Sequence, residues 1–486
     1  MTNMTIDKGP GRNSIEKNLL MARLVKLIIA FGIPLFLLSV PTSQFPFDDL
    51  TIIQHRLLAI FILAALLWIL EPVPVFATSI LIIMLELMML SDQGLYSFRF
   101  FNDGVDPATN IEGLMHYNDI FAAFSSPIIM LFLGGFSLAI AANKYALDTN
   151  LANVLLKPFG TKPASIMLGL MMITAMFSMF MSNTATTVMM LSLLGPILMS
   201  VPKEDKGIKA LVLCVPISAN LGGIATPIGT PPNAIALQYL NDLYSVSFLD
   251  WMMMGLPFVL VLLAFAWWLL QKLFPFSCDS LHLQFGGDFQ RSWQAIVVYI
   301  TFALTIVLWM STGLHGMNTY VVAIVPLAIF TLTGIIGKEE LKLINWDVLW
   351  LVAGGIAIGI ALDKTGLAAV MANSIDYSVL PALLVILVMS FLCWLMANFI
   401  SNTATANLLM PIAAAVATSM DDLSLLVMLV VVACSASLGM ILPVSTPPNS
   451  LAYATGLVAS KDMARVGLIM GLAGLSLVYM VILVLI

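Results

Sequence analysis

Charge is what this chain has least of. Only 9% of its 486 residues are Asp, Glu, Lys or Arg, while 60% are hydrophobic; a soluble domain carries about 25% charged residues. That composition excludes an ordinary water-soluble domain and points to a protein solvated by lipid. Cysteine is scarce too. Cys214, Cys393 and Cys434 lie in apolar segments and Cys278 in a connecting stretch, with no CxxC and no metal-ligand spacing, so neither a disulfide framework nor a zinc site is indicated. His55, His116, His282 and His315 fall in loops or at the ends of apolar runs and form no cluster. No triad, metal cluster or nucleotide loop is present, which argues against an enzyme. The net charge of -6 says little, because orientation follows Lys and Arg placement. No cleavable signal peptide is evident around the first apolar run, Leu24–Val40.

What the chain does have is a motif pair that occurs twice. Ser182-Asn183-Thr184-Ala185-Thr186 recurs as Ser401-Asn402-Thr403-Ala404-Thr405, and Thr230-Pro231-Pro232-Asn233 recurs as Thr446-Pro447-Pro448-Asn449. The spacing from Ser to Thr is 48 residues in the first copy and 45 in the second. Gly134-Gly135 and Gly354-Gly355 precede the two serines by 48 and 47 residues. Three landmarks in one order at matched spacing indicate a duplication. The motifs are polar and helix-breaking, yet they interrupt apolar stretches. In lipid such breaks are tolerated only where the backbone is buried in protein or lines a cavity, and paired breaks in two halves mark a transporter's binding site.

Spans of about 20 apolar residues cross a bilayer. Runs at Leu24–Val40, Arg56–Leu70, Val75–Leu90 and Ile120–Ala142 predict the first crossings. A tail of residues 1–23, with Lys8, Arg12, Lys17 and Arg23, is placed in the cytoplasm by the positive-inside rule. The acidic stretch Ser91–Asn118, with Asp92, Asp103, Asp106 and Glu112, then falls outside, and Lys144, Lys157 and Lys162 fall inside. Residues of about 163–201 are flanked by basic clusters on both sides, so they read as a re-entrant hairpin with Ser182-Asn183-Thr184 at its tip. A helix over about 208–240 is broken at its prolines. Trp251–Phe274 closes a first half of residues 24–274, and residues 275–293 form a cytoplasmic linker. The second half, 294–486, repeats the pattern with spans at Gln294–Met310, Tyr320–Ile336 and Val348–Leu362. Its hairpin of about 380–417 is entered from outside, its broken helix covers about 424–456, and Val466–Ile486 ends outside. The expectation is an all-α polytopic membrane protein with about 11 transmembrane helices and two re-entrant hairpins in an inverted-topology repeat. Glu71 and Glu86 read as structural or interfacial, and Trp267, Trp268 and Trp309 as belt residues.

Each break exposes helix ends. Helix N-termini suit anions, while C-termini and unwound carbonyls suit sodium. Asn183 and Asn402 add amides, and Thr184 and Thr403 hydroxyls, so a carboxylate and a small cation could share each tip. No Lys or Arg falls near the middle of any span, and no Asp or Glu sits at either motif.

At this point the residues resemble the divalent anion–sodium symporter family, which includes the Na⁺-coupled dicarboxylate carriers. The likeness covers nearly the whole chain from about Leu24. Besides both tips, it rests on Trp68-Ile69-Leu70-Glu71-Pro72-Val73-Pro74, Leu131-Phe132-Leu133-Gly134-Gly135, Gly229-Thr230-Pro231-Pro232-Asn233 and Leu442-Pro443-Val444-Ser445-Thr446-Pro447-Pro448-Asn449. The resemblance implies an elevator-type carrier whose scaffold domain forms a homodimer and whose transport domain holds the hairpins and broken helices. It implies substrate contacts at Ser182, Asn183, Thr184, Ser401, Asn402 and Thr403, flanked by Thr230, Thr446 and Pro447. It implies a first sodium site at Ser178, Ser182, Asn183 and Gly229, and a second at Ala397, Ser401, Asn402 and Ser445. Many members have Thr where this chain has Ala397, a departure that removes a hydroxyl. The implied activity is import of a C4-dicarboxylate or a tricarboxylate by Na⁺ symport with alternating access, in the plasma membrane, a bacterial inner membrane. Na⁺ is then the coupling ion, no other cofactor is implied, and the partners are the anion, the bilayer and a second copy of the chain, with no nucleic acid. A sodium-independent dicarboxylate exchanger of the same fold and a symporter of sulfate or another divalent anion remain as alternatives. An anion channel is disfavoured by the discontinuous inverted repeats.

Overall fold

The computed structural model describes residues 10–47, 50–99, 113–240, 244, 246–281, 289–374 and 381–485. Among them, regular structure is helical throughout, with eighteen helices of eight or more residues. Eight helices among the described residues are long and apolar enough to cross a membrane, and the protein is an integral, multi-pass membrane protein. Contacts divide the chain into two compact units, residues 1–123 with 357–375, and residues 124–356 with 376–486.

The first unit is built on α1 (Pro10–Ser39), α2 (Ile52–Leu70) and α3 (Val75–Met89). The tail expected through residue 23 is helical from Pro10, while Lys8 lies outside the described residues, as do Asp103, Asp106, Glu112 and His282. A capping box starts α2: Thr51 accepts the Gln54 N–H, and the Gln54 side chain accepts the Thr51 N–H. Glu71 ends α2 in the left-handed region at φ 47°, just before Pro72. Arg23 and Lys26 of α1 donate to the carbonyls of Pro72 and Leu70, each at 2.8 Å, which neutralises the negative end of α2. His55, read as lying in a loop or at a span end, is interior, and Glu86, read as structural or interfacial, is interior as well. His55 is buried inside α2 with Nε2 2.8 Å from the Leu37 carbonyl. Glu86 is wholly buried on α3, and both carboxyl oxygens are without a partner among the described residues.

The second unit carries the duplicated landmarks. Its first repeat begins with α4 (Pro127–Lys144) and α5 (Leu147–Leu156), then a helix pair, α6 (Pro163–Ser178) and α7 (Asn183–Met199). The helix after it is interrupted into α8 (Gly207–Ile224) and α9 (Pro231–Leu240). Next come α10 (Phe248–Leu273), α11 (Trp293–Met310), α12 (Thr319–Leu332) and the N-terminal half of α13 (Trp346–Lys364). The second repeat gives a helix pair, α14 (Ala382–Ala397) and α15 (Asn402–Thr418), and another interrupted helix, α16 (Leu425–Ser437) and α17 (Pro447–Ala454), before α18 (Ser460–Leu485). Within each repeat the first arm of the pair packs on the helix before the break, α6 on α8 and α14 on α16. After the break the partners cross over: α9 packs on α15 and α16, and α17 on α7 and α8. Each interrupted helix therefore delivers its second piece to the other repeat's tip.

The Gly-Gly landmarks are points of close approach. A Cβ on Gly134 would run into the Ala323 carbonyl of α12, and one on Gly355 into the Asn407 carboxamide of α15, whose Nδ2 donates to the Leu351 carbonyl at 2.9 Å. Trp309 is not a belt residue. It is fully buried, its ring stacks on Phe248 at 4.9 Å, and its Nε1 donates to the Thr319 carbonyl at 3.1 Å. Trp268 is half exposed, as a lipid-facing residue requires, and Trp267 donates to the Ala164 carbonyl at 2.8 Å.

Candidate functional site

Each Ser-Asn-Thr motif opens a helix. Ser182 is the N-cap of α7, its hydroxyl accepting the Ala185 N–H at 3.2 Å, and Ser401 caps α15 in the same way through the Ala404 N–H at 3.1 Å. A cap takes one of the orphan donors at a helix start. The serine's own O–H proton stays available to donate, beside the positive end of the helix dipole. That combination suits a carboxylate. Thr184 is exposed in the first turn of α7, and Thr403 is half-buried in that of α15.

Behind the first tip, oxygens converge. Ser178 Oγ, on the last turn of α6, lies 2.5 Å from Asn183 Oδ1 and donates to the Ala219 carbonyl at 2.8 Å. The same end of the Asn183 carboxamide is 3.2 Å from the carbonyl oxygens of Ala219 and Gly229. With its nitrogen turned inward the amide donates to all three oxygens. With its oxygen inward, four oxygens share a single hydroxyl proton, which is the donor set of a hard cation. Glycine permits this closeness: a Cβ on Gly223 would sit 2.8 Å from Asn183 Oδ1 and 2.9 Å from the Gly229 carbonyl.

Both breaks are held by the asparagine of Thr-Pro-Pro-Asn. Asn233 Nδ2 donates to the carbonyls of Gly223, Ile224 and Thr226 at 3.0, 3.2 and 2.8 Å. Asn449 Nδ2 donates to those of Met440 and Leu442 at 2.9 and 3.1 Å. Prolines following the break cannot donate to these carbonyls, so a side-chain amide satisfies them. Thr230 stands directly before α9 and is buried. Thr446, the N-cap of α17, accepts the Asn449 N–H at 3.3 Å and is also buried, while Pro447 is exposed.

Sequence comparison decides the family. A model described as the sodium:sulfate symporter transmembrane region matches residues 21–486. The chain belongs to that symporter family. Among curated relatives, it is 31% identical to the sodium-dependent dicarboxylate transporter SdcS of Staphylococcus saprophyticus, over 96% of this chain and 92% of that protein. It is 30% identical to an uncharacterized transporter of Haemophilus influenzae, over 91% and 94%. A solved structure, that of the Alcanivorax borkumensis YdaH transporter, shares the fold at a TM-score of 0.56 and 13% identity, covering 84% of this chain and 97% of that one.

In this member of the symporter family the second cage differs from the first. Ala397, four residues before Ser401, is fully buried and offers no hydroxyl where Ser178 has one. Its Cβ and carbonyl leave no room for a side chain on Gly439. The Ser445 hydroxyl is already engaged, donating to the Asn398 carbonyl at 2.8 Å and accepting the Leu442 N–H at 3.0 Å. In the first repeat the hydroxyl of Thr226 serves the matching carbonyl, that of Met179. What remains is the Asn402 Oδ1, buried and without a partner among the described residues, together with backbone carbonyls.

Asn220 was not among the expected site residues. It is 2% exposed on α8, next to the cage residue Ala219, and its Nδ2 donates to Thr446 Oγ1 at 3.1 Å and Asn449 Oδ1 at 3.3 Å. It thus ties the first cage to the second Thr-Pro-Pro-Asn. The available signal was an amide inside an apolar run, ten residues before Thr230. Beside the Ser182 tip lies a cavity of about 640 Å³, walled by one face of α7 and one face of α4.

Proposed function

We propose that this protein is a secondary carrier that imports C4-dicarboxylates by Na⁺ symport. The observation that carries the reading is the convergence of the Ser178 hydroxyl, the Asn183 carboxamide and the Ala219 and Gly229 carbonyls behind a capped helix N-terminus, where a turn of the amide presents its oxygen to a cation. The dicarboxylate transporters among the relatives support the substrate class. A cation held in the cage places positive charge beside the tip, where no Lys or Arg belongs to either motif. The dianion is then bound by Na⁺, by the N–H groups and dipoles of α7 and α15, and by the hydroxyls of Ser182 and Ser401, with Thr184, Thr403, Thr230, Thr446 and Pro447 around it. Because anion binding depends on the cation's charge, the two move together. Nothing in this scheme requires a protein charge to be buried at the tips, which avoids the desolvation cost of an unpaired one.

The same reading takes α6–α7 and α14–α15 as re-entrant hairpins entering from opposite faces, in halves of residues 24–274 and 294–486 joined by a cytoplasmic linker. The N-terminus is cytoplasmic and the C-terminus outside. The repeats move as a transport domain against a dimeric scaffold, in elevator fashion. Counterflow in proteoliposomes tests the function, with succinate, malate, citrate and sulfate as the panel, in Na⁺ and in choline. Succinate counterflow that requires Na⁺ is expected. One observation favours a second reading, the missing hydroxyl at Ala397: succinate counterflow that persists in choline would identify a sodium-independent exchanger. Movement of sulfate but not succinate would reassign the substrate.

A further inference from the structure

The cavity beside Ser182 holds a charge pair that the transport scheme above does not use. Its α7 wall presents Ser182, Ala185 and Ser192, which share one helical face, and its α4 wall ends in Asn143 and Lys144. Glu340, on the short helix Lys338–Leu341, and Asn345 complete the rim. Lys144 Nζ donates to Glu340 Oε1 at 2.6 Å and to the Ile335 carbonyl at 2.9 Å. An ammonium has three donors, so one is left after these two bonds. The pair is neither buried nor free: the two side chains are 36% and 20% exposed. Lys144 is the single basic residue lining this cavity, and Glu340 cancels its charge.

We propose that Lys144 is a relay point for dianions passing between the Ser182 tip and the solution, with Glu340 as the resident anion that the passing carboxylate displaces. The proposal deepens the transport reading and rests on it for the direction of travel. Three features fit a relay better than a fixed binding site. Beyond its two bonds the ammonium has a third donor, with the Tyr145 ring centroid 5.9 Å from Nζ, a weaker contact than a hydrogen bond. Its partner is a carboxylate of the same chemistry as the ligand, so exchange replaces one charge-assisted hydrogen bond by another. And Glu340 keeps a second bond, to the Gly337 N–H at 2.8 Å, which holds it nearby while displaced. An unpaired lysine here would trap a dianion near the tip; the paired one lets it leave. The Lys144 hydrogen bond, with the Gly337 N–H, holds the Glu340 carboxyl down at about 2 against an ordinary 4.5. Glu340 therefore remains ionised, and paired with Lys144, as pH falls through 4.5.

The test reads occupancy without requiring transport. In a full-length Cys278→Ser background the three remaining cysteines are buried, and Ser192→Cys places a thiol on the cavity wall. Its labelling by a neutral maleimide is followed against increasing succinate or sulfate. In the reference protein, dianion is expected to slow labelling. Adding Glu340→Gln should lower the half-protecting concentration by about threefold to tenfold, and adding Lys144→Gln should raise it by a similar factor, as for a focused local charge. Opposite shifts are the signature. A pair that only clamps α4 to the short helix Lys338–Leu341 would shift protection the same way in both variants, and that result, or protection by neither dianion, overturns the relay. Opposite shifts together with failure of succinate counterflow would leave the relay standing and remove the dicarboxylate import reading.

Discussion

Asn220 stands where the two halves of the site meet, and its geometry makes a specific claim about substrate binding. Its amide orients Thr446 and Asn449, so Asn220→Ala removes two buried hydrogen bonds, at a cost of roughly 1–3 kcal/mol. Succinate half-saturation is expected to rise about tenfold or more with membrane insertion intact. Thr446→Val made in the same background should add little, because coupled residues are not additive; full additivity in the double-mutant cycle would disconnect the two. Ala397 carries a second expectation at this scale. Ala397→Ser places on α14 the hydroxyl that Ser178 has on α6, and it should lower the sodium half-saturation by several-fold, an ordinary hydrogen-bond's worth of about 1 kcal/mol. Ala397→Thr should instead lower expression, because its extra methyl meets the close approach of Gly439. Sodium titration of uptake distinguishes these outcomes. An unchanged half-saturation in Ala397→Ser would mean that backbone oxygens already complete the second cage.

The helices show which parts of this architecture a sequence can reveal. Breaks at Ser182 and Ser401 and at the two Pro-Pro pairs were legible, because their cause is local: serine caps a helix and proline cannot continue one. The crossover of α9 onto α15 and α17 onto α7 was not legible, because it joins segments far apart in the chain with no local signature. Trp309 was misread for a related reason. An indole at the end of an apolar run fits a lipid interface or a buried stack equally well until Phe248 is placed against it. In the site, Asn183 and Gly229 were named by motif, but Ala219 contributes only a backbone carbonyl, which no side-chain pattern can announce. α3 supplies a test. Glu86 is a fully buried carboxyl without a partner among the described residues, and such a group is a cost to the fold unless it has a function. Glu86→Leu should leave uptake intact and raise the apparent Tm of the purified protein. Lost uptake with normal folding would make Glu86 a working group.

At the scale of the whole molecule, the duplicated repeats are alike in construction and unlike in detail. Behind the first tip Ser178 supplies a hydroxyl, where the second repeat has Ala397; Asn407 buttresses α15 through Leu351, where the corresponding residue of α7, Val188, is exposed. The opposite insertion proposed for the two halves predicts opposite accessibility. A cysteine at Asp421, which is exposed, should react with an impermeant thiol reagent added outside intact cells, and one at the exposed Lys206 only after permeabilisation. Reaction of both from one side would remove the inverted repeat.

The side-chain bonds that stitch the two interruptions have a kinetic consequence. Nonhelical segments inside a membrane protein ordinarily exchange their amide hydrogens quickly where water reaches them, yet here the Gly229, Ile441 and Leu442 N–H groups are held by the side chains of Thr226, Asn398 and Ser445. Residues 225–230 and 440–446 should therefore exchange deuterium as slowly as the flanking helices, with opening free energies near those of the surrounding core. Mass spectrometry of wild type and Asn398→Ala would show it: slow uptake in both segments, and release confined to 440–446 in the variant. Rapid exchange in the wild type would mean that the interruptions are loose joints, and the whole assembly would then have to be pictured as bending at its binding site instead of carrying that site as a rigid block.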